Sequence, residues 1–505
     1  MCGIFCYIGK NKTKDDLKDN FERIMGRGPD NNILLNIDNV LIGFHRLSIN
    51  DLSEQGNQPF TKNGVYLICN GEIYNHETLK RNYNIQTKSN SDCEVILHMY
   101  EKFSFDETCR QLDGVFALII YDSNSKKIFV GRDPYGVRPI FIGFNEHEEL
   151  FLSSELKGIH DLTIYKKQFT PGFSLEYDTL NKNFIYRNYY DFSLSIDRLR
   201  DVSFILIGIK NRLMNAVKKR LLSDRPIGSL LSGGLDSSLV AGIISKIYKE
   251  QKKGQLSTFA IGIKGATDLK YAQSVSKHIE SDHHTIECTE NDFLEAIPKV
   301  IYAIESYDIT TVRASVGNYL VAKYIKENTD ITVVFNGDGS DEQSGYYYLR
   351  NAPNENEFND ECVKLLREIH FYDGLRSDRS ISSNWSLEAR TPFLDKEFVR
   401  YYMTIDPSLK MYNESNKLPE KYLLRKAFEN DNIIPKEVLW RPKEAFSDGC
   451  SSEKRSWHKI IQEKVDTIIT DEEFLENKDK YTFNPPLIKE SYYYRKIFDE
   501  FFPNS

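Results

Sequence analysis

The chain has 505 residues, a net charge of −8, 40% hydrophobic residues and 12% aromatics. These values describe a folded protein of two or three domains and exclude a disordered chain. The acidic balance leaves no basic stripe for a nucleic acid. No apolar run approaches the roughly 18 residues of a spanning helix. The short apolar stretch at the N-terminus runs into lysines and aspartates, not a cleavage site, so neither a membrane partner nor a signal peptide is expected. The eight cysteines are scattered without a CxxC pair, which points to reduced thiols in a cytoplasmic setting and not to a disulfide frame or zinc site.

The chain opens MCGIFCYIGK. Cys2 reads as an apolar filler at a strand edge or, with Met1 cleaved, as one residue carrying both a thiol and a free α-amine. Strand-like runs follow in GVYLICNGE, GVFALIIYD, KIFVGRD and RPIFIGF, bounded by Gly, Asn, Asp or Pro. Helical spacing interrupts them at DDLKDNFERIM and DCEVILHMYEKF. The pattern predicts a layered α+β domain of antiparallel sheets over residues 2–190.

Between 190 and 200 a tyrosine-rich stretch gives way to the amphipathic RDVSFILIGIKNRLMNAVKKRLL, and the domain boundary is placed there. Strand-like IGSLL, STFAIGI, HHTIEC and DITVVFN then alternate with helical patterns, which predicts an α/β domain over 200–505. Its sheet should be parallel, with ligands beyond the carboxyl ends of the strands. From about 350 the chain reads as helical and irregular.

The most specific stretch is LLSGGLDSSLVAG at 230–242. A strand ends in Leu230 and Leu231, Ser232, Gly233 and Gly234 turn the chain, and a helix begins near Asp236. Backbone N–H groups and a helix N-terminus suit phosphate oxygens there, and Asp236 can hold Mg²⁺. The Walker A lysine is absent. In NGDGSDEQSGY at 336–346 the acids Asp338, Asp341 and Glu342 follow another strand, where they can bind a metal or act as a base. WRPKEAFSDG adds Arg441 and Lys443, a lysine able to offset charge on leaving pyrophosphate. Taken alone, each of these loops also reads as a turn with capping groups.

In the first half, Arg46 of GFHRLSINDLS can clamp a carboxylate. Asn70 and Gly71 of CNGEIYNH suit an oxyanion hole, and Asp92 of SNSDCEVI suits an ammonium group. Together they outline glutamine. An α-amine titrates near about 7.7–8.0, so the amine of a terminal Cys2 can serve as its own base.

Thirteen stretches in order, among them MCGIF, RGPD, HRLSI, NGEIYN, SDCEVI, DGVFA, RDPYGVRP, LLSGGLDSS, YDITTVRAS, GDGSDE, EARTPFLD and RPKEAFSDG, resemble the glutamine-hydrolysing asparagine synthetases. The first half is similar to a class II amidotransferase of the N-terminal nucleophile fold, and the second to an ATP pyrophosphatase. The resemblance implies Cys2 as nucleophile, with Asn70, Gly71, Asp338 and Lys443 as the other catalytic groups. It implies glutamine contacts at Arg46, Leu47, Ser48, Ile49, Asn50, Asn70, Gly71, Glu72 and Asp92. ATP contacts are implied at Leu231, Ser232, Gly233, Gly234, Asp236, Ser237, Ile261, Asn336 and Gly337. Aspartate contacts fall to Thr310, Thr311 and Arg313, and Mg²⁺ to Asp236 and Asp341. Glutamine, aspartate and ATP are then the small-molecule partners, with a homodimer as the candidate assembly. The chain departs from the family in Gly26, where a histidine is common, and in Asp338, where a glutamate is common. A β-lactam-type synthetase or a degenerate scaffold would be expected to have lost some of Cys2, Arg46, Asn70 and Asp92, and all four are present.

Overall fold

The computed structural model describes residues 1–191, 198–372, 374–412, 418–443, 449–451 and 455–503. In the first half the strands are β1 (Gly3–Ile8), β2 (Asn31–Ile37), β3 (Val40–Arg46), β4 (Phe60–Lys62), β5 (Val65–Ile73) and β6 (Gly114–Asp122). They continue as β7 (Lys127–Arg132), β8 (Phe141–Phe144), β9 (Leu150–Ser153), β10 (Tyr165–Gln168), β11 (Phe173–Asp178) and β12 (Phe184–Asn188). Two six-stranded sheets result, ordered β10-β8-β9-β1-β3-β2 and β12-β11-β7-β6-β5-β4. Their pairings are antiparallel.

The sheets stack face to face. Ile4, Cys6, Ile42 and Phe44 of the first meet Ile68, Ile119, Tyr121 and Val130 of the second. The outer face of the second sheet is covered by the helices His76–Tyr83, Val95–Lys102 and Phe105–Gln111. β6 therefore runs unbroken through Val115–Tyr121 with every residue buried, because both of its faces are covered.

The second half carries β13 (Ile227–Leu230), β14 (Ser257–Ile263), β15 (Asp282–Cys288), β16 (Val333–Phe335) and β17 (Glu388–Arg390). They form one parallel sheet in the order β15-β14-β13-β16-β17. The helices Val202–Lys219, Leu235–Glu250 and Thr267–Ile279 pack on one face, and Glu290–Ile304 and Ile309–Asn328 on the other. Strand order reverses between β13 and β16, and the loops leaving those two strands are SGGLD and NGDGSDE. This crevice is where an open α/β sheet takes its ligand.

Two elements differ from the sequence reading. DDLKDNFERIM forms only the short helix Lys18–Glu22 and a 3₁₀ turn at Met25–Arg27. YDITTVRAS, to which the sequence pattern assigned no element, forms the start of the helix Ile309–Asn328, capped by Asp308, which accepts from the Thr311 amide at 2.7 Å. EARTPFLD supplies β17, a strand of three residues that carries no periodic signal. Of the expected boundary at 190–200, residues 192–197 lie outside the described residues. Among the described residues, no helix is long and apolar enough to cross a membrane.

The two halves are joined by an alternating chain of buried charge. It runs Arg379–Glu305–Lys157–Glu155–Arg27–Asp378–Arg138–Glu388–Arg390–Glu72, every link 2.6–3.7 Å and every side chain at most 4% exposed. Arg27, Glu72, Arg138, Glu155 and Lys157 come from the first half and the other five from the second. Such a network specifies one docking geometry more than it stabilises, since desolvation offsets the Coulombic gain.

Farther along, Trp457 is fully buried, its ring edge-on to Phe293 at 5.2 Å and its indole N–H on the Arg313 carbonyl at 3.3 Å. Trp457→Ala is expected to destabilise the second half by about 3–5 kcal/mol. A urea titration followed by the remaining tryptophans checks this, and an unchanged midpoint would refute it.

Candidate active sites

Cys2 sits just before β1. Its Sγ lies 3.5 Å from the Leu47 amide, which donates to it, and 3.7 Å from the Leu47 carbonyl. Burial pushes the thiol up to about 11, and the chain's amine beside it works in the opposite direction. Burial also lowers that amine, here carried by Met1, to about 6. At pH 7 this spot therefore favours a protonated Cys2 thiol next to a neutral Met1 amine.

Asn70 on β5 is 1% exposed, and both its side-chain nitrogen and oxygen lack a protein partner. A buried amide left unsatisfied costs free energy unless a ligand completes it. Gly71 faces Phe116 across the sheet. The Phe116 amide and carbonyl are both taken by Asp133, so the Gly71 backbone points away from β6, where its carbonyl accepts from Cys93 Sγ at 3.4 Å. The adjacent Gly71 amide and Asn70 amide are the two oxyanion donors expected from sequence. A Cβ at Gly71 would lie 2.4 Å from the Val115 oxygen, which requires glycine.

Asn50, Glu72 and Asp92 form a buried acidic corner. Asn50 Nδ2 donates to Glu72 Oε2 and to Asp92 Oδ1, the latter at 3.1 Å, and Asp92 Oδ2 accepts from the Ile73 amide at 2.5 Å. Burial pushes both carboxyls up, Glu72 further because Asp92 adds repulsion. A ligand ammonium would relieve both. Arg46 is more committed than its sequence suggests. Nη1 donates to the Ser53 carbonyl and Asn57 Oδ1 at 2.8 and 2.7 Å, and Nη2 to the Asp51 carbonyl. Three of its five N–H groups are spent, leaving two for a carboxylate. Leu47 and Ile49 pack against the second half, and Ser48 is held by Asp30 at its amide and Arg225 at its carbonyl. Gly3 does not face this space, since its Cβ would press on the Ile24 carbonyl at 3.2 Å.

In the second half a cavity of about 880 Å³ opens at the β13/β16 switch point. Leu231, Ser232, Gly234, Asp236, Ser237, Ile261, Asn336, Gly337, Asp338, Asp341, Thr310, Thr311 and Lys443 line it. Gly233 and Arg313 do not. Gly233 shapes the loop from behind at φ +75°, its carbonyl held by Arg441 at 3.1 Å. Arg313 grips Glu490 through Nε at 2.7 Å and through Nη2. Ser232 and Ser237 share a hydroxyl contact at 2.9 Å.

Lys421, which the sequence reading missed, bridges Asp236 at 2.6 Å and Asp341 at 2.8 Å, and Lys443 reaches Asp341 at 2.8 Å. Beside Lys421 and Lys443, Asp341 is held well below the usual carboxylate range despite burial, and Lys443 is raised chiefly by Asp341. Asp236 Oδ1 remains buried without a partner. Arg376, also missed, binds Asp338, whose other oxygen accepts from Asn336 at 2.9 Å. Neither residue stands in a motif: Lys421 enters from KLPEKYLL in a left-handed conformation at φ +60°. Residues 444–448 of RPKEAFSDG lie outside the described residues.

Residues 1–192 match the glutamine amidotransferase domain family, and 208–360 with 344–505 match the asparagine synthase family. The glutamine-hydrolysing asparagine synthetases of Rattus norvegicus and Homo sapiens are 41% and 42% identical over 536 residues, covering 100% of this chain and 94% of each. The chain belongs to the asparagine synthase family. Among solved structures, the glutamine phosphoribosylpyrophosphate amidotransferase of B. subtilis aligns at 15% identity and TM-score 0.34, over 56% of this chain and 81% of that one.

One contact in this family member lends itself to a direct test. A Cβ on Gly337 would lie 2.7 Å from the Ser237 amide and 2.8 Å from Asp236 Cβ. Gly337→Ala is expected to part the two loops and cut ATP-dependent activity by about 10²-fold while sparing glutamine hydrolysis. Parallel assays of the two half-reactions decide it, and a fully active variant would refute the contact's role.

Proposed function

We infer that this protein makes L-asparagine from L-aspartate, L-glutamine and ATP, releasing L-glutamate, AMP and pyrophosphate. The observation that carries the reading is the unsatisfied Asn70 amide at the Cys2 end, paired with the lysine-bridged aspartates on the SGGLD cavity. Residues 2–190 act as the glutaminase domain and 200–505 as the synthetase domain.

At the first site, the terminal amine of Cys2, exposed by removal of Met1, takes the thiol proton. The thiolate attacks the glutamine amide carbon while Asn70 and the Gly71 amide hold the oxyanion. Arg46 orients the substrate carboxylate and Asp92 with Glu72 its ammonium. The C–N bond breaks, ammonia leaves with the proton, and water hydrolyses the γ-glutamyl thioester. At the second site, an oxygen of the aspartate β-carboxylate attacks the α-phosphorus of ATP and pyrophosphate departs. Lys443 and Lys421 balance the charge on the phosphates, and Thr310 and Thr311 line the aspartate end. Ammonia arriving from the first site attacks the acyl carbon of β-aspartyl-AMP, Asp338 accepts the proton it sheds, and AMP leaves.

Asp236 and Asp341 would hold Mg²⁺. The open Asp236 Oδ1 fits that ion, while both Asp341 oxygens rest on Lys421 and Lys443 and would be freed as those lysines turn to the phosphates. Among the described residues no group of three or more His, Cys, Asp or Glu side chains is placed to hold a metal ion. When bound, Mg²⁺ neutralises phosphate charge. The eight free thiols suit the cytoplasm.

Cys2→Ala is expected to abolish glutamine-dependent synthesis and to leave ammonia-dependent synthesis within about twofold of the parent. Equal loss of both, or release of ADP and phosphate, would overturn the division of labour. The base must be neutral to accept a proton, so glutaminase kcat/KM should fall about tenfold per pH unit on acidification below the pKa of the Cys2 amine, ordinarily about 7.7–8.0 and brought down by the same burial that lowers the Met1 amine at this spot. A profile still flat at pH 5 would exclude the amine as base.

A further inference from the structure

The turn Leu375–Arg379 touches both candidate sites through neighbouring residues. It has π-type winding, which is rare and concentrates where helices carry function. Arg376 lines the synthetase cavity and binds Asp338. Two residues on, Asp378 accepts from Arg27 Nη1 at 3.0 Å and Nη2 at 3.3 Å. The same guanidinium donates through Nε to the carbonyl of Cys2 at 2.9 Å, and its remaining carboxylate partner is Glu155 at 2.8 Å. Arg27 is fully buried and Asp378 nearly so.

These contacts leave little slack. A buried arginine cannot give up a carboxylate without leaving charge uncompensated, so the Arg27 plane follows Asp378, and the Cys2 carbonyl follows Arg27. At the other end, Arg376 faces a cavity that takes anions. An incoming carboxylate or phosphate competes with Asp338 for it, and Asp338 must be released before it can accept a proton. A side chain displaced on one side of a short, packed turn shifts the side chain on the other.

We propose that Asp378 is a positioning residue for the Cys2 nucleophile, supplied by the synthetase half, and that the Leu375–Arg379 turn relays occupancy of the synthetase cavity to glutamine hydrolysis. The proposal rests on the reading of Cys2 and Asp338 given above. The turn is a single element with a ligand-sensitive contact at one end and the nucleophile's backbone at the other.

The test uses the whole chain and measures glutamine hydrolysis with and without aspartate plus Mg-ATP. Cys2 alkylation by iodoacetamide, followed by mass spectrometry, gives a readout independent of turnover. In the parent, the synthetase substrates should change glutaminase kcat and alkylation rate by about fivefold. Asp378→Asn should lower glutaminase kcat about tenfold with KM for glutamine within about twofold, and should erase the response. Its ammonia-dependent synthesis should stay within about threefold of the parent, and Asp378→Glu should recover part of the response.

The proposal fails if the parent shows no response, if Asp378→Asn keeps it, or if both half-reactions fall together. Should Asp378→Asn not fold, Arg27→Lys must lose the response in its place, and a retained response there is equally fatal. Persistence of glutamine hydrolysis in Cys2→Ala would instead remove the underlying reading, a result the Asp378 variants cannot produce.

Discussion

The structure depends on one electrostatic constraint: an alternating chain of ten buried charges that neither half can satisfy alone. Arg27 is held between Glu155 of its own half and Asp378 of the other, and Arg390 ties Glu388 to Glu72 across the boundary. Each half alone would leave several ions without partners in a low-dielectric interior, which is prohibitive. Docking is thereby restricted to one arrangement. It is also the arrangement in which β17 and the 375–379 turn of the second half stand behind Cys2 and the acidic corner of the first.

This constraint suits the chemistry. Free ammonia is protonated once it reaches neutral water, and a carboxylate accepts it only after activation, so the two reactions are useful together only if water is kept from the ammonia that passes between their sites. A parallel sheet supplies the phosphate end, because two loops leaving adjacent strands at a reversal of strand order converge on one crevice. A stack of antiparallel sheets supplies the other end, where a buried strand presents an amide side chain and a glycine backbone side by side. The boundary is lined with charge, and each member of the chain of charges has an oppositely charged neighbour within 3.7 Å.

Much of this was legible in the residues. Period and turn chemistry placed β5, β6, β7 and the helix Val202–Lys219, and glycine-rich loops between strand and helix marked the cavity. Legibility stopped where a role depends on contacts distant in sequence. Lys421 and Arg376 stand in stretches that carry no motif, and only folding brings them to Asp236, Asp341 and Asp338. Arg313 illustrates the reverse: a cation in a promising motif whose guanidinium turns instead to Glu490, 177 positions away. Arg46 lies between these cases, in the expected place but with most of its donors already given to the loop it anchors.

The sequence by itself determined the two fold classes, the thiol at position 2, the adjacent Asn70 and Gly71 on β5 and the glycine-rich loop that leaves β13. These are set by residue type and spacing within a few positions, where backbone geometry leaves little choice. Tertiary structure alone decided which cations neutralise which acids, that a three-residue strand completes the parallel sheet, and that the two halves lock through buried charge. Those outcomes follow from burial, which forces each charge to find a partner wherever the chain brings one within reach.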